Sequence, residues 1–328
     1  MTSDTAAFLV SWESWLLARA FSPKTIDTYL SWGRRLAARY PILSESSFPA
    51  CVQAASASLR RQLYSASTIH QFQCVMASLA ECLWHWDETQ RKALITARPV
   101  KPSFPVPSED EIREFILALA APHRLVALLC YCCGLRISEC VSLTLADVNL
   151  TSRMLTVRQS KGAKGRQVPI PPELVPLIQA RVDLALKVCK SDLEAKNVVA
   201  PLTGLEYRLH PGSSREPGQW PLFFQNSLVW DHRVSLFVRV FLHASHVEKA
   251  FAECRSKSGV LTRITPHRLR DAYAVHSLLG GVPINVIQQH MGHATVETTA
   301  RYLSFLLTPE GSQLFPGLDL FKQLNKTA

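Results

Sequence analysis

The second half of the sequence carries side chains suited to chemistry on a phosphodiester, each at a break or an end of a predicted element. They are Arg136, Lys161, His267, Arg270, His293 and Tyr302. Two guanidinium groups, planar and permanently charged, can hold the non-bridging oxygens of a phosphate and stabilise the charge that builds up there in the transition state. A tyrosine hydroxyl, with an ordinary pKa of roughly 10, is a weak nucleophile that needs a cationic site and a nearby base. The set therefore indicates phosphoryl transfer to a tyrosine.

Most of these residues lie in one stretch near the C-terminal end of the sequence. A helix start at Thr265, followed by proline, directly precedes His267 and Arg270. A glycine-rich break ending in proline then closes that helix and opens a second one, which ends in a turn at His293. A last short helix carries Tyr302. The pattern therefore predicts that the polar side chains are fixed at successive helix ends.

Arg136 is placed by an earlier helix. A buried helix predicted over residues 126–133 ends at Gly134, which suits the left-handed conformation at a helix C-terminus. Arg136 follows beside a hydrophobic stretch, so we do not expect it on a solvated face. The alternative is a structural ion pair with Glu139 or Asp147. Glu139 itself is predicted to be a partner of the helix start and not a proton carrier.

A β-hairpin is predicted around residues 155–170, because strand-forming segments flank a turn that contains glycine. The turn carries Lys161, Lys164 and Arg166. A basic tip is usually a solvated turn. In a protein that grips a phosphodiester backbone, it equally delivers a lysine into the minor groove of DNA. We therefore predict that Lys164 and Arg166 contact DNA.

Residues 1–96 are predicted to form a helical domain. Helical periodicity covers residues 5–20, the segment from Ser22-Pro23 to Tyr40, and residues 65–86. The second of these helices carries the predicted DNA contacts, which are Thr25, Arg34 and Arg35. A plain helical bundle without DNA binding is the alternative.

A linker and a second domain follow. Residues 97–108 hold four prolines and no helical periodicity, which predicts a semi-extended linker. A second domain is predicted over residues 109–328. Within it, residues 192–234 form a long insertion that contains Trp220, and residues 235–255 return to helical periodicity.

Composition favours a polyanionic partner. The chain of 328 residues has 36 Lys+Arg against 26 Asp+Glu, a net charge of +10, and 47% hydrophobic residues. Such a balance suggests nucleic acid or an anionic membrane surface. The sequence begins without the pattern of a secretory signal, and no uncharged apolar run approaches the length of a membrane helix. Nine cysteines without zinc-ligand spacing predict a reducing, cytoplasmic location.

These motifs together resemble the tyrosine recombinase (phage integrase) family. They are G-L-R-I-S-E after a helix, K-G-A-K on a hairpin, H-R-L-R at a helix start, M-G-H, and a tyrosine nine residues after that histidine. The resemblance covers the whole second domain, and the first domain is similar to that family's helical core-binding domain. It implies a fold that is mainly α with a small β-hairpin or sheet, arranged as a two-domain clamp around duplex DNA.

The resemblance also implies residue roles, with the two arginines holding the phosphate. Tyr302 forms a 3′-phosphotyrosyl link and frees a 5′-hydroxyl. Lys161 protonates the leaving oxygen, His267 acts as acid and base, and His293 hydrogen-bonds the phosphate. No metal and no other cofactor is implied, since the protein's cations neutralise the phosphate. Asp271 stands where many relatives carry histidine, and because it lies outside the motif we expect it to change nothing central.

The partners implied are a specific site on double-stranded DNA, further copies of the chain in a tetramer, and an accessory DNA-binding protein. Residues 304–328 contain an apolar stripe that is expected to dock onto the next protomer, with packing on its own domain as the alternative. Lys164 is the alternative to Lys161 as the hairpin lysine. For the biological role, resolution of transposon cointegrates or integration and excision are expected.

Three other functions remain open at this point. One is an integron-type integrase acting on folded single strands, in which Trp220, Phe223 and Phe224 stack on bases; a buried anchor is the alternative for these aromatic residues. The second is an accessory DNA-binding factor without turnover. The third is a topoisomerase-like protein that relaxes DNA without a specific site.

Overall fold

The fold is seen in a computed structural model, which describes residues 3–40, 42–97, 106–158, 165–195, 197–202, 206, 210–258, 262–293, 295, 299–300 and 302. The chain divides into two compact units, Met1–Phe104 and Pro105–Ala328. Each unit has its own hydrophobic core. Both are mainly helical with small sheets, which confirms the predicted fold class.

The first unit consists of helices that surround an aromatic core. Its elements are β1 (Ser3–Asp4), α1 (Thr5–Ala18), α2 (Pro23–Arg39), β2 (Ile42–Leu43), α3 (Phe48–Arg61), α4 (Ala66–Trp84) and α5 (Glu88–Ala93). The short strands β1 and β2 pair antiparallel. Trp12, Phe48, Phe72 and Leu79 are buried at the centre, and burial of such side chains supplies most of the stability of a small helical unit.

Serine caps set two of the predicted helix starts. The Ser22 hydroxyl accepts a hydrogen bond from the Thr25 N–H at 3.2 Å, and proline occupies the first position of α2. The Ser65 hydroxyl accepts one from the Thr68 N–H at 3.1 Å at the start of α4. These caps satisfy N–H groups that have no partner inside the helix, so both starts could be predicted locally.

The second unit holds the candidate site. Its helices are α6 (Glu109–Ala118), α7 (His123–Cys132), α8 (Ile137–Val141), α9 (Val175–Glu194), α10 (Ala244–Ser258), α11 (Pro266–Leu279) and α12 (Ile284–Met291). Its strands are β3 (Val148–Asn149), β4 (Met154–Val157), β5 (Arg166–Pro169), β6 (Val198–Val199), β7 (Phe224–Asp231) and β8 (Leu236–Phe241). None of the described helices is long and apolar enough to span a membrane. Residues 98–105 of the predicted linker lie outside the described residues.

The predicted hairpin is confirmed. Strands β3, β4 and β5 form an antiparallel sheet in that order, in which Leu155 pairs with Val168 and Val157 pairs with Arg166. Leu155, Val157 and Val168 face the core. Because paired residues point to the same face of a sheet, the register also directs Arg166 inward.

The predicted insertion contributes strands β6 and β7 to a three-stranded sheet. Strand β8 pairs with β7 antiparallel and with β6 parallel. The predicted helix over residues 235–255 is therefore wrong in its first part, where aromatic and β-branched residues form β8, and right in its second part, α10. The buried Asp192 carboxylate fixes the insertion: it accepts hydrogen bonds from Arg239 Nη2 at 2.6 Å and from Trp220 Nε1 at 3.2 Å.

We predict that His276 makes the stability of the second unit depend on pH. Its ring is 7% exposed, contacts the Tyr131 hydroxyl at 2.9 Å, and burial lowers its pKa to about 4. With an ordinary value of about 6.5 in the unfolded chain, the folded state binds fewer protons between these values. The resulting stability is complete above pH 6.5 and is lost as the pH falls towards 4, by about 3 kcal/mol in total.

Urea unfolding between pH 4 and pH 7 measures this dependence. The His276→Gln variant, which cannot titrate, should lose that part of the slope. The exposed His210 provides the control, because His210→Gln should leave the slope unchanged. An identical pH dependence in native chain and His276→Gln would contradict the assignment.

Candidate active site

The Glu139 carboxylate joins arginines from different parts of the second unit. Arg136 donates to it twice, from its backbone N–H to Oε2 at 2.8 Å and from Nη1 to Oε1 at 2.9 Å. Its side chain is 44% exposed, so the expectation that it avoids a solvated face is wrong, while the predicted ion pair with Glu139 is present. Arg166 donates two parallel hydrogen bonds, from Nη1 to Oε1 at 3.0 Å and from Nη2 to Oε2 at 2.8 Å. Arg270 Nη1 lies 3.5 Å from Oε2. One acidic side chain thus holds three guanidinium groups together.

Glu139 is ionised in this setting. Burial on its own raises the pKa of the carboxyl, but the hydrogen bonds from Arg166 and from the Arg136 backbone, with the charges of Arg166 and Arg270, lower the pKa below its ordinary value. Asp147, the other predicted partner of Arg136, pairs with Arg158 instead, at 2.7 Å. The geometry agrees with the prediction that Glu139 supports the helix start.

Arg270 is buried and points its guanidinium group at backbone carbonyls. Nη1 donates to Gly134 O at 2.5 Å, and Nη2 donates to Met291 O at 2.5 Å. Arg136 Nη1 lies 3.4 Å from the same Met291 oxygen. Burial, followed by the charge of Arg136, lowers the pKa of Arg270 to about 10, which leaves it charged at neutral pH. The two arginines therefore meet at the C-terminal end of α12, where carbonyl dipoles favour cations.

Gly134 allows this approach. Its φ is +63°, and a Cβ there would lie 2.5 Å from Tyr273 Cδ1 on α11. Only glycine combines the left-handed conformation with so close a neighbour. The break after α7 thus brings the Gly134 carbonyl to Arg270 and starts the segment that carries Arg136.

Arg166 corrects a prediction. It was expected to contact DNA from the hairpin tip, but its side chain is 10% exposed. In addition to the two bonds to Glu139, its Nε donates to His290 O at 2.7 Å. The reason is its register opposite Val157, which points it to the buried face. Gly292, at φ +62°, lies against this guanidinium group: a Cβ there would be 2.9 Å from Nη1.

Tyr302 is 3% exposed and packs against Ile287 and Met291 of α12. Its hydroxyl donates to Asp271 Oδ1 at 2.6 Å. The other oxygen of Asp271 lies 3.8 Å from His267 Nε2 and is also close to Arg268. Asp271 was expected to change nothing central, and this contact corrects that expectation. Its spacing from His267, one helical turn, was a signal that could have placed it at the site.

The two predicted histidines lie at helix ends. His267 is 70% exposed at the start of α11. His293 follows the left-handed Gly292, and its Nδ1 lies 2.8 Å from Thr299 Oγ1. His290, within α12, contacts the Tyr273 hydroxyl at 2.8 Å. Lys161 and Lys164 lie outside the described residues, as does part of the predicted last short helix.

The other predicted DNA contacts are distributed as follows. Thr25 takes part in the cap of α2, with its hydroxyl 2.7 Å from that of Ser22. Arg34 is exposed, and Arg35 stacks on the Trp32 ring at 4.5 Å. These remain predictions. Trp220 is fully buried and bonded to Asp192, so a DNA contact by Trp220 is corrected to the alternative, a buried anchor.

The positive charge of the site comes from side chains. Within the described ranges, no three His, Cys, Asp or Glu side chains are grouped so that they could hold a metal ion. Arg136, Arg166 and Arg270 supply fixed cations there. Such an arrangement can bind a phosphate and stabilise added negative charge without proton rearrangement.

Comparison with known proteins shows which family the chain belongs to. Residues 108–306 match the phage integrase family. The chain belongs to that family, which confirms the resemblance.

Curated relatives agree. An "Integrase/recombinase" of Escherichia coli is 30% identical over 198 residues, which cover 60% of this chain and 58% of that protein. "Tyrosine recombinase XerA" of Pyrococcus furiosus is 30% identical over 208 residues, 63% of this chain and 56% of its own length. The chain thus spans a little over half the length of these relatives.

Solved structures share the fold. The "Tn1549 transposon Integrase" in complex with transposon right end DNA gives a TM-score of 0.64 at 14% identity, covering 100% of this chain and 99% of that one. A lambda integrase dimer bound to a COC' core site gives 0.60 at 16% identity, over 97% and 80% of the two chains. At this identity, the likeness concerns the fold.

We predict that Gly292→Ala lowers the free energy of unfolding more than Gly281→Ala does. Both glycines have positive φ, +62° and +81°, so alanine at either position is strained by about 1–2 kcal/mol. A Cβ at position 292 would also displace Arg166, while no described atom lies within 4 Å of one at 281. Leaving Glu139 and Arg166 incompletely bonded adds about 1–3 kcal/mol.

Urea unfolding of the two variants compares these losses directly, with Gly281→Ala as the control for backbone strain. Equal losses would show that Arg166 shifts freely and would contradict its role in positioning Glu139.

Proposed function

We propose that this protein is a site-specific DNA recombinase that cuts and rejoins DNA through a 3′-phosphotyrosyl intermediate. The observation that carries the proposal is the arrangement at the end of α12. Arg136 and Arg270 converge on Met291 O, and the Tyr302 hydroxyl is held by Asp271, the residue next to Arg270. Family membership and the names of the relatives support it.

The arginines bind the scissile phosphate. Arg136, with 44% of its side chain exposed, can reach a DNA backbone, and Arg270 supplies a fixed charge behind it. Negative charge on the non-bridging oxygens increases as the nucleophile attacks phosphorus. Cations that are already in place stabilise this charge without reorganising, which is the main source of rate acceleration in such sites.

Each covalent step exchanges one phosphate ester bond for another. The Tyr302 hydroxyl gives up its proton to a base of the site and its oxygen bonds to phosphorus. The bond between phosphorus and the 5′-oxygen breaks, and Lys161 protonates the leaving oxygen. His267 acts as acid and base, and His293 hydrogen-bonds the phosphate. A 5′-hydroxyl from a second strand reverses these steps and releases Tyr302. Because one phosphate ester replaces another, the reaction needs no ATP, and the arginines supply the charge that a metal would otherwise bring.

DNA and further copies of the chain are the proposed partners. The net charge of +10 suits a DNA duplex, whose phosphates attract Lys and Arg without regard to sequence. Thr25, Arg34 and Arg35 of the first unit and Lys164 of the hairpin are the proposed contacts. The protein acts in the cytoplasm as a tetramer on paired sites, with residues 304–328 docking onto the next protomer and an accessory protein assisting. A lambda integrase tetramer is known bound to a Holliday junction.

A role on a mobile element, either in integration and excision or in cointegrate resolution, is the most fitting setting. The structural neighbour from transposon Tn1549 supports it. The integron-type alternative rested on exposed aromatic side chains, and the complete burial of Trp220 and Phe223 disfavours it. The interactions among the site residues disfavour a catalytically silent accessory factor, since such a protein has no need of a bound phenol.

Replacing the nucleophile tests the function. Native chain, incubated with a nicked suicide substrate in buffer that contains EDTA and no ATP, should form a covalent protein–DNA adduct. Tyr302→Phe should form none, because the attacking oxygen is absent. The adduct is measured as a shifted band on denaturing gels, and gel shifts without denaturant confirm that the variant still binds DNA. An adduct from Tyr302→Phe would show that another residue is the nucleophile.

Arg136 tests phosphate binding. We expect Arg136→Lys to lower the rate of adduct formation by about 10²–10³-fold, because lysine cannot reproduce the planar bidentate contact. Stability should change little, since this side chain is 44% exposed. The control is Arg233→Lys, an exposed arginine in the turn between β7 and β8, which should react at the native rate. Full activity of Arg136→Lys would contradict bidentate phosphate binding.

A further inference from the structure

We propose that Asp271 is a catalytic residue, whose carboxylate accepts the phenolic proton of Tyr302 as the tyrosine attacks phosphorus. The inference rests on the recombinase function proposed above and adds a residue to it. It starts from one contact: the Tyr302 hydroxyl donates to Asp271 Oδ1 at 2.6 Å. This length is typical of a charge-assisted bond between a hydroxyl and a carboxylate, which is about twice as strong as a neutral one.

The contact is shielded from water. Tyr302 is 3% exposed and Asp271 is 7% exposed. A phenol that loses its proton in such a place needs a protein group to receive it, because bulk water has little access. A base within hydrogen-bond distance of the proton meets the first geometric requirement for general-base catalysis.

The second oxygen of Asp271 is directed at other groups. His267 Nε2 lies 3.8 Å and Arg268 Nη1 lies 3.6 Å from Oδ2. His267 and Arg268 belong to the first turn of α11, four and three residues before Asp271. The Asp271 carboxylate therefore lies between these two side chains and Tyr302. Oδ1 is thereby presented to the phenol, and the geometry needed for proton transfer exists before DNA binds.

The neighbouring acid–base groups are engaged elsewhere. Glu139 accepts hydrogen bonds from Arg136 and Arg166. The Nδ1 atom of His293 lies 2.8 Å from Thr299 Oγ1. His267 faces the far oxygen of Asp271, and its ring is 70% exposed. These placements suit phosphate binding and leaving-group chemistry, whereas Asp271 faces the nucleophile.

The step balances as follows. The O–H bond of Tyr302 breaks and its proton passes to Asp271 Oδ1, while the tyrosine oxygen forms a bond to phosphorus. The bond between phosphorus and the 5′-oxygen breaks, and that oxygen leaves with the electron pair and takes a proton from the acid assigned above, Lys161. The products are a phosphotyrosine, a neutral Asp271 and a 5′-hydroxyl. In the reverse step, Asp271 returns its proton to the tyrosine oxygen.

The test separates the nucleophile's proton from that of the leaving group. Two suicide substrates are compared, one with the normal 5′-oxygen at the cleaved bond and one with sulfur in its place. A sulfur leaving group needs no acid, since thiols have a pKa near 8.5 and are far more acidic than alcohols. Single-turnover rates of adduct formation are measured for native chain, Asp271→Asn and Lys161→Ala.

We expect Asp271→Asn to be slower than native by about 10²–10⁴-fold on both substrates, because asparagine keeps the size of the side chain but cannot take the proton. Lys161→Ala should be slow on the oxygen substrate and largely restored on the sulfur substrate. Asp183→Asn, on the exposed face of α9, is the matched control and should react at the native rate. Circular dichroism and thermal melting establish that Asp271→Asn is folded.

A native-like rate for Asp271→Asn, or its recovery on the sulfur substrate, would overturn the role of Asp271 alone. If no adduct forms even with native chain on either substrate, both the recombinase function and this role are overturned. If Asp271→Asn does not fold, the test uses the native chain, whose rate on the sulfur substrate is measured in H₂O and in D₂O. Transfer of the phenolic proton is then the remaining proton transfer in the step, so the reaction should be slower in D₂O, and equal rates in H₂O and D₂O would contradict the proposal.

Discussion

The ion pairs around Glu139 are the constraint on which the rest of the site depends. Three guanidinium groups in one small region repel one another, and burying them is costly unless an anion lies among them. Glu139 supplies that anion and still leaves a surplus of two positive charges. A phosphodiester carries one negative charge and gains a second as the attacking oxygen adds to phosphorus. For the reaction proposed above, the charge around Glu139 therefore suits the transition state better than the bound substrate, as catalysis requires.

The same carboxylate connects folding to chemistry. Arg166 comes from the sheet, Arg136 from the start of α8 and Arg270 from α11, and each reaches Glu139 only when its own element is in place. The site is therefore a property of the assembled second unit and not of any one motif. A short sequence motif can identify these residues, but their spacing in space is set by the packing of α7 against α11.

Local features of the fold could be read from the sequence, while features set by distant contacts could not. Ser22 and Ser65 cap their helices through hydrogen bonds to residues three positions on, so each start is encoded locally. The hairpin of β4 and β5 was equally local, although its register was not predicted. By contrast, β8 was wrongly predicted as helix: its parallel partner β6 is distant in the sequence, and the strand signal of its own aromatic and β-branched residues beside β7 was overlooked. The burial of Trp220 depends on Asp192 in the same way.

The site residues also divide into those that the sequence predicts and those whose surroundings are set by distant contacts. Arg136, Arg270, His293 and Tyr302 are predicted from the family motif alone, and the structure describes all four in the second unit. Arg166 and Asp271 were misjudged because their partners come from other elements. A basic residue near a hairpin tip is usually solvated, and only the register opposite Val157 shows that Arg166 points inward. For Asp271, the sequence offers only its one-turn spacing from His267, and the contact with Tyr302 is set by the tertiary structure.

The segment from Gly134 to Arg136 helps to fix the distance between the two arginines. The Gly134 carbonyl accepts a hydrogen bond from Arg270, and Arg136 follows two residues later in the chain, so the length of this short segment limits how far apart the two guanidinium groups can lie. Leu135, between the two, is fully buried, so substitutions there would cost stability while keeping the length of the segment. Inserting or deleting a single residue would change that length and move one arginine relative to the other. Natural variation in chain length should therefore accumulate in loops on either side of this segment and avoid the segment itself.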